Sequence, residues 1–228
     1  MDQDQLSKLT LFMQKLNLPY KDLNLINQAF LHSSLAHQTS SLQSNERLEF
    51  LGDSVLSMCV SEYLFLQLPQ APEGKLTKMR SYLVAEKMLA KLAKKIQLDT
   101  LLLLSWGEEN SGGRSRDANL ADTFEAFLGA LFLDNGFDVV KNFVLEMLKE
   151  EAEKVKNDDF IFDYKTEFQY MVQQKYKKCP EYRIAQEEGP PHQKTFVSEL
   201  ILNGRVLTKG MGFSKKKSEQ EAAKKALD

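Results

Sequence analysis

Through the first two thirds of the chain, apolar residues return at helical spacing. Leu6, Leu9, Phe12, Met13 and Leu16 fall on one side of a helix, and Leu25, Ile26, Ala29 and Phe30 mark a shorter one before His32-Ser33-Ser34. A third helix opens at Ser44 or Asn45, either able to cap it, with Glu46 at its positive end, and runs to about Leu68, where Pro69 stops it. Beyond the turn at Pro69, Pro72 and Gly74, the pattern predicts a fourth helix over residues 76–96 and a loop over 107–117. A further helix ends near Asn135-Gly136, and an amphipathic one covers 137–155. The period then changes. Residues 164–176 read as a helix, 182–187, 195–202 and 206–212 as strands, and 214–227 as a last helix; Asn203-Gly204 between two alternating runs signals a hairpin. The expected fold class is mainly α: an all-helical domain over residues 1–154, a linker over 155–161, and a small α-β-β-β-α domain over 162–228, large enough to fold by itself.

Composition adds little to this: 43% apolar and 27% charged residues in 228 are ordinary for a soluble globular protein. Apolar runs fall well short of the roughly 20 residues a membrane helix needs, so no membrane partner is expected. The opening MDQDQLSKL lacks the basic and apolar regions of a secretory signal, and Cys59 and Cys179 suggest no disulfide framework, so a reduced, cytoplasmic setting is expected. Charge is more informative. Residues 1–159 carry 17 Lys and Arg against 23 Asp and Glu, whereas residues 160–228 carry 13 against 9. An acidic body with a basic second domain points to a polyanion held by the latter.

Four acids carry the candidate chemistry. Glu49 and Asp53 are four apart in NERLEFLGDSVL, and Asp122 and Glu125 are three apart in LADTFEAFLGA, spacings that place each pair on one helical face. All four lie in apolar runs, where an unpaired carboxylate is costly. Glu49 could instead pair with a lysine, and Asp122 could be a helix-start residue. Two facing acid pairs, however, would form an oxygen-lined pocket for Mg²⁺ or Mn²⁺. Gly52 and Gly129, beside the pairs, suggest close backbone approach or room for a ligand. No His stands three after a Glu as in di-iron bundles, and His32 and His37 read as structural or solvent-facing. A cation held by carboxylates can activate water and neutralise charge on a phosphate, which favours phosphodiester hydrolysis over metal-free glycoside hydrolysis.

NERLEFLGDSVL together with LADTFEAFLGALFLD resembles the signature of bacterial ribonuclease III, and GKLTKMRSYLV and GEENSGGRSRDANLAD are similar to the same family. The resemblance implies an all-helical endonuclease domain that dimerises, with one active site per subunit. It also implies that Glu49, Asp122 and Glu125 hold Mg²⁺, with Mn²⁺ able to substitute. Asp53 would be the catalytic acid, also near the metal, with Glu125 sharing the catalytic role, and Glu46 and Glu73 would be secondary acids. No small-molecule cofactor is expected. Implied products carry 5′-phosphate and 3′-hydroxyl ends with a short 3′ overhang, and implied substrates are ribosomal-RNA precursors and some messenger RNAs. A two-fold dimer suits a duplex physically, because it offers two equivalent sites to two antiparallel strands. Phe50, Leu51, Phe124, Phe127 and Phe132 are apolar residues available for a shared surface or for the subunit's own core.

In the second domain, Thr166, Glu167 and Gln173 lie on one helix, His192 and Lys194 in the GPPHQKTF loop, and Lys215, Lys216 and Lys217 at a helix start, where lysines oppose the dipole unless a phosphate sits there. These segments resemble the double-stranded-RNA-binding domain, which reads A-form shape through minor grooves and intervening phosphates. The helix and loop would touch minor grooves, and the lysines phosphates. Phe196 and Phe213 are expected to pack under the helices. Two rival readings are a protein that binds duplex RNA without cutting it and a phosphohydrolase acting on nucleotides or DNA.

Overall fold

The computed structural model describes residues 3–38, 42–156, 164–190 and 194–227. The chain divides into two compact units, Met1–Asp159 and Phe160–Asp228. Much of the expected 155–161 linker lies outside the described residues.

The first unit is helical: α1 (Gln3–Lys15), α2 (Leu23–Gln28), α3 (Ser33–Ala36), α4 (Glu46–Gln67), α5 (Glu73–Leu83), α6 (Glu86–Lys95), α7 (Trp106–Asn110), α8 (Asp117–Asn135) and α9 (Phe137–Lys156). Its centre is α8, apolar nearly all round and buried accordingly, with Leu120, Phe124, Phe127, Leu128 and Leu131 out of contact with water. Phe127 meets the rings of Phe12, Phe30 and Phe143 at centroid distances of 5.6, 5.9 and 5.9 Å. Phe124 and Phe127 therefore fill this subunit's core, while Phe50 is 79% exposed.

Close approach of α4 to α8 is written into two glycines. A Cβ on Gly52 would lie 1.8 Å from the Glu125 carbonyl oxygen, and one on Gly129 would lie 2.2 Å from that of Leu48. Any side chain at either position would force the helices apart. The end of α8 is fixed by the buried Asp134, whose carboxylate accepts the backbone N–H groups of Lys21 at 2.7 Å and Asp22 at 2.9 Å.

Two expectations for the first unit need correction. The single helix over 76–96 is broken at Val84-Ala85 into α5 and α6. In one continuous helix Met79 and Leu83 would share a side with Glu86 and Lys87, roughly opposite Met88 and Leu92. All four apolar residues are buried, and the break supplies the rotation that allows it. The 107–117 loop also contains α7, whose start is capped by Ser105 Oγ accepting from Glu108 N–H at 3.2 Å.

In the second unit, α10 (Tyr164–Tyr176) precedes an antiparallel sheet of β1 (Glu181–Glu188), β2 (Thr195–Leu202) and β3 (Arg205–Gly212) in the order β1-β2-β3, followed by α11 (Lys215–Leu227). Asn203 and Gly204 both have positive φ, as the tight β2–β3 hairpin requires. Phe168, Val172, Leu200, Ala222 and Ala223 form the core. The strand β3 faces α11 through Gly210, where a Cβ would meet Ala222 N at 2.1 Å, and Gly212, where one would meet Ser218 N at 2.7 Å. Strand alternation then turns Met211 and Phe213 away from the helix. Phe213 is accordingly 78% exposed rather than packed under α11, and Phe196 is only partly buried.

Candidate metal centre and basic surface

Where α4 and α8 cross, Glu49, Asp122 and Glu125 converge. Each offers a carboxylate oxygen, and these lie within 4.8 Å of one another. The side chains are half-buried. Among the described residues no lysine or arginine forms an ion pair with any of the three. The contrast with other buried acids is sharp. Asp134 takes backbone N–H groups, Glu151 takes Lys91 and Lys154 at 2.6 and 3.0 Å, and Glu199 takes Arg183 and Lys209 at 2.7 and 2.8 Å.

The electrostatics follow from that geometry. Burial pushes the Glu125 carboxyl up to about 8, and the negative charges of Asp53, Glu49 and Asp122 push the same way. Burial also raises Glu49, with Asp122, Glu46 and Asp53 adding to it. Asp122 is raised by burial and by Glu86, and lowered by His32. Like charges gathered in a half-buried pocket, unpaired with any lysine or arginine of the described residues, are what a divalent cation relieves, and an all-carboxylate donor set suits a hard one.

The expected quartet therefore divides. Three acids form the cluster, while Asp53, one turn beyond Glu49, is exposed at its rim and acts on Glu125 through its charge. Glu46 is exposed one turn before Glu49 and accepts a hydrogen bond from Ser44 Oγ at 2.6 Å. Glu73 is elsewhere. It opens α5, accepts from Thr77 Oγ1 at 2.8 Å, and lines a 370 Å³ cleft with Leu64, Phe65, Leu76 and Arg80, near the opposite end of α4. Glu86, which sequence reasoning missed, influences Asp122 from the start of α6, and only the packing of α6 on α8 reveals it. His32 is structural as expected: its Nδ1 accepts from Ser34 N–H at 3.2 Å and caps α3.

On the second unit, Thr166 and Gln173 are exposed on α10 and Glu167 is partly so. Gln174 Nε2 donates to Tyr170 OH at 2.7 Å, and these two residues line a shallow hollow with Gln173 and Lys177. Tyr170 and Gln174 also escaped sequence reasoning, although their four-residue spacing was a usable signal. His192 lies outside the described residues. Lys194 is paired with Glu187. Lys215, Lys216 and Lys217 are exposed in the first turn of α11, which holds no acid, and Lys215 Nζ lies 5.9 Å from the Phe196 ring centroid.

Comparison with known proteins places both units. Residues 22–152 match the family model described as Ribonuclease-III-like, and residues 164–228 match that of the double-stranded RNA binding motif. The chain is 46% identical over 218 residues to Ribonuclease 3 of Enterococcus faecalis, covering 94% of each, and 47% identical over 220 residues to Ribonuclease 3 of Staphylococcus carnosus, covering 95% of this chain and 90% of that one. A solved nuclease domain of ribonuclease III from Campylobacter jejuni, described as flexible in a region involved in dimer formation, shares 41% identity at a TM-score of 0.57, covering 61% of this chain and 94% of that one.

Proposed function

The chain belongs to the ribonuclease III family, as a ribonuclease with a double-stranded-RNA-binding domain, and we propose that it cuts both strands of duplex RNA as a homodimer dependent on Mg²⁺. The observation that carries this reading is the convergence of Glu49, Asp122 and Glu125 within 4.8 Å, with no lysine or arginine paired to any of them among the described residues. A Mg²⁺ ion bound there would supply an activated water and positive charge against the phosphate, with Mn²⁺ a substitute. The three carboxylates, ionised, hold and orient it. Asp53, exposed at the rim, would be the catalytic acid, and Glu46 would add its charge to the field from the preceding turn. The products would carry 5′-phosphate and 3′-hydroxyl ends, and the substrates would include ribosomal-RNA precursors and some messenger RNAs in the cytoplasm.

The outer face of α4 supports the dimer. Phe50, Met58 and Phe65 form a largely exposed apolar row along it. Pairing α4 with its two-fold copy near Met58 would bring Phe50 toward the partner's cleft at Leu64 and Phe65. The partner's Glu73 would approach the acid cluster in the same step, which gives this distant acid a role. In the second unit, α10 would enter a minor groove, Lys215, Lys216 and Lys217 would hold phosphates, and His192 and Lys194 would contribute from the β1–β2 loop.

The test is an end-labelled RNA duplex incubated with the protein in Mg²⁺, in EDTA and in Ca²⁺. Discrete Mg²⁺-dependent fragments with 5′-phosphates are expected. Tight binding in all three conditions without a cut would refute the nuclease reading and leave a duplex-binding protein.

A further inference from the structure

We infer that Trp106 is an RNA-contact residue of the nuclease unit, set beside the acid cluster to lie against the sugar edge of the duplex minor groove. The inference rests on the duplex-RNA reading above. Trp106 is the chain's only tryptophan. It is 84% exposed, more than any other large apolar side chain among the described residues.

Its backbone is nonetheless firmly held. The preceding Ser105 is buried, and its N–H donates to Ser34 Oγ at 3.1 Å while its Oγ caps α7. Two residues earlier, Leu103 N–H donates to the Phe30 carbonyl at 2.9 Å and the Leu103 carbonyl accepts from His32 N–H at 3.1 Å. A rigid frame thus presents a large apolar side chain to water, an arrangement that costs solvation unless a ligand covers it.

The frame borders the acids. Glu108, in the same short helix as Trp106, accepts from Asn119 Nδ2 at 3.0 Å, and Asn119 stands one turn before Asp122. His32 acts electrostatically on both Glu108 and Asp122. The acids of α7 are paired, Glu108 with Arg116 and Glu109 with Arg114, so α7 itself does not repel phosphate.

The surroundings choose the ligand. Trp106 follows the half-buried Leu103 and Leu104 and the buried Ser105, and its own short helix continues with Gly107, Glu108, Glu109 and Asn110. A subunit interface would continue the apolar surface, as α4 does through Phe50, Met58 and Phe65. A solitary aromatic among polar groups fits a wet ligand with small apolar patches. Bases within a duplex are stacked on one another, so the accessible patches are ribose carbons along the wide A-form minor groove, flanked by 2′-hydroxyls that can accept the indole N–H.

The full chain carrying Glu125→Gln, with Mg²⁺ present, can be titrated with an unlabelled RNA duplex while indole emission and acrylamide quenching are followed. Anisotropy of a labelled duplex is read in parallel. Emission should change with the anisotropy midpoint, and the indole should become shielded. In the otherwise native chain, Trp106→Ala should raise KM for duplex cleavage on the order of tenfold, with kcat and Tm unchanged, and Trp106→Phe should recover much of the loss. RNA binding with unaltered emission and quenching, or Trp106→Ala with native KM, overturns the assignment while the nuclease reading stands. Failure of the duplex to bind at all overturns both.

Discussion

Both units bring a helix into backbone contact with its neighbour through a pair of glycines, yet they put the contact to different use. At Gly52 and Gly129 the crossing of α4 and α8 draws three carboxylates together, so the close approach builds the candidate site itself. At Gly210 and Gly212 the approach of β3 to α11 builds a core, closed by Ser198 and Ser218 hydrogen-bonded at 2.5 Å, while the lysines expected to meet RNA stand outside in solvent. On the proposed reading, function in the first unit depends on fine geometry in a half-buried pocket. In the second it would depend on exposed charge, which acts over a Debye length and tolerates displacement. Substitutions in the acid cluster should therefore act in an all-or-none manner, and those of the exposed lysines should be graded.

The strongest way to break the comparison is Glu125→Gln. Removing one charge from the cluster should cut cleavage by on the order of a thousandfold or more, because the cation site is lost with its charge stabilisation. Duplex affinity measured by anisotropy in Ca²⁺ should remain close to native. Substantial Mg²⁺-dependent cutting by this variant would remove Glu125 from the site.

Gly52→Ala comes next. Alanine favours a helix by about 1 kcal/mol over glycine, so the local effect alone would stabilise. The added Cβ, however, would sit 1.8 Å from a backbone oxygen that has no room to retreat. Separation of the helices should cost about 3 kcal/mol in urea unfolding and lower cleavage as well. Gly210→Ala should also destabilise its own unit and weaken duplex binding, while the Mg²⁺ dependence of cutting stays native. A stabilised Gly52→Ala protein would mean that the crossing is looser than described.

The difference also governs what could be read in the sequence. Spacing within one helix is a local property, so Glu49 with Asp53 and Asp122 with Glu125 were legible as pairs, and the hairpin at Asn203-Gly204 was legible from its own dihedral needs. Which oxygens converge is a property of two helices. It leaves Asp53 at the rim and introduces Glu86, an acid whose own helix gives no sign of the site. The break at Val84-Ala85 escaped because both halves are helical by propensity and only the rotation between their apolar faces betrays it. The exposure of Phe213 follows from its alternation with Gly212, a signal present in the sequence but masked by the usual burial of phenylalanine.

A graded effect is expected from Lys215→Ala with Lys216→Ala. Both side chains are exposed in the first turn of α11, so the fold should be unaffected and Tm unchanged. Duplex affinity at moderate salt should fall about tenfold, and the slope of log affinity against log salt should flatten by nearly two, one for each phosphate no longer neutralised. Cleavage of bound RNA should proceed at its native rate. An unchanged slope would place both lysines in solvent even in the complex.

The smallest effect tests the cluster without RNA. A carboxyl whose pKa is higher in the folded than in the unfolded state stabilises the fold while protonated. That contribution is complete below the ordinary value of 4.5 and is lost as pH rises through the folded value of about 8 for Glu125, with Glu49 and Asp122 shifted in the same direction. Without a divalent ion, the protein should thus lose stability across this window as negative charges accumulate in the pocket. Mg²⁺ binds the ionised form, so its stabilising effect should grow over the same range. The rise in Tm on adding Mg²⁺ should be larger at about pH 8.5 than at about pH 6, by roughly 2–4 °C, the shift that about 1 kcal/mol produces in a domain of this size. Glu125→Gln should remove most of this difference, and Lys215→Ala should leave it intact. A Mg²⁺ effect of equal size at both pH values would mean that the cation binds somewhere other than the three converging acids.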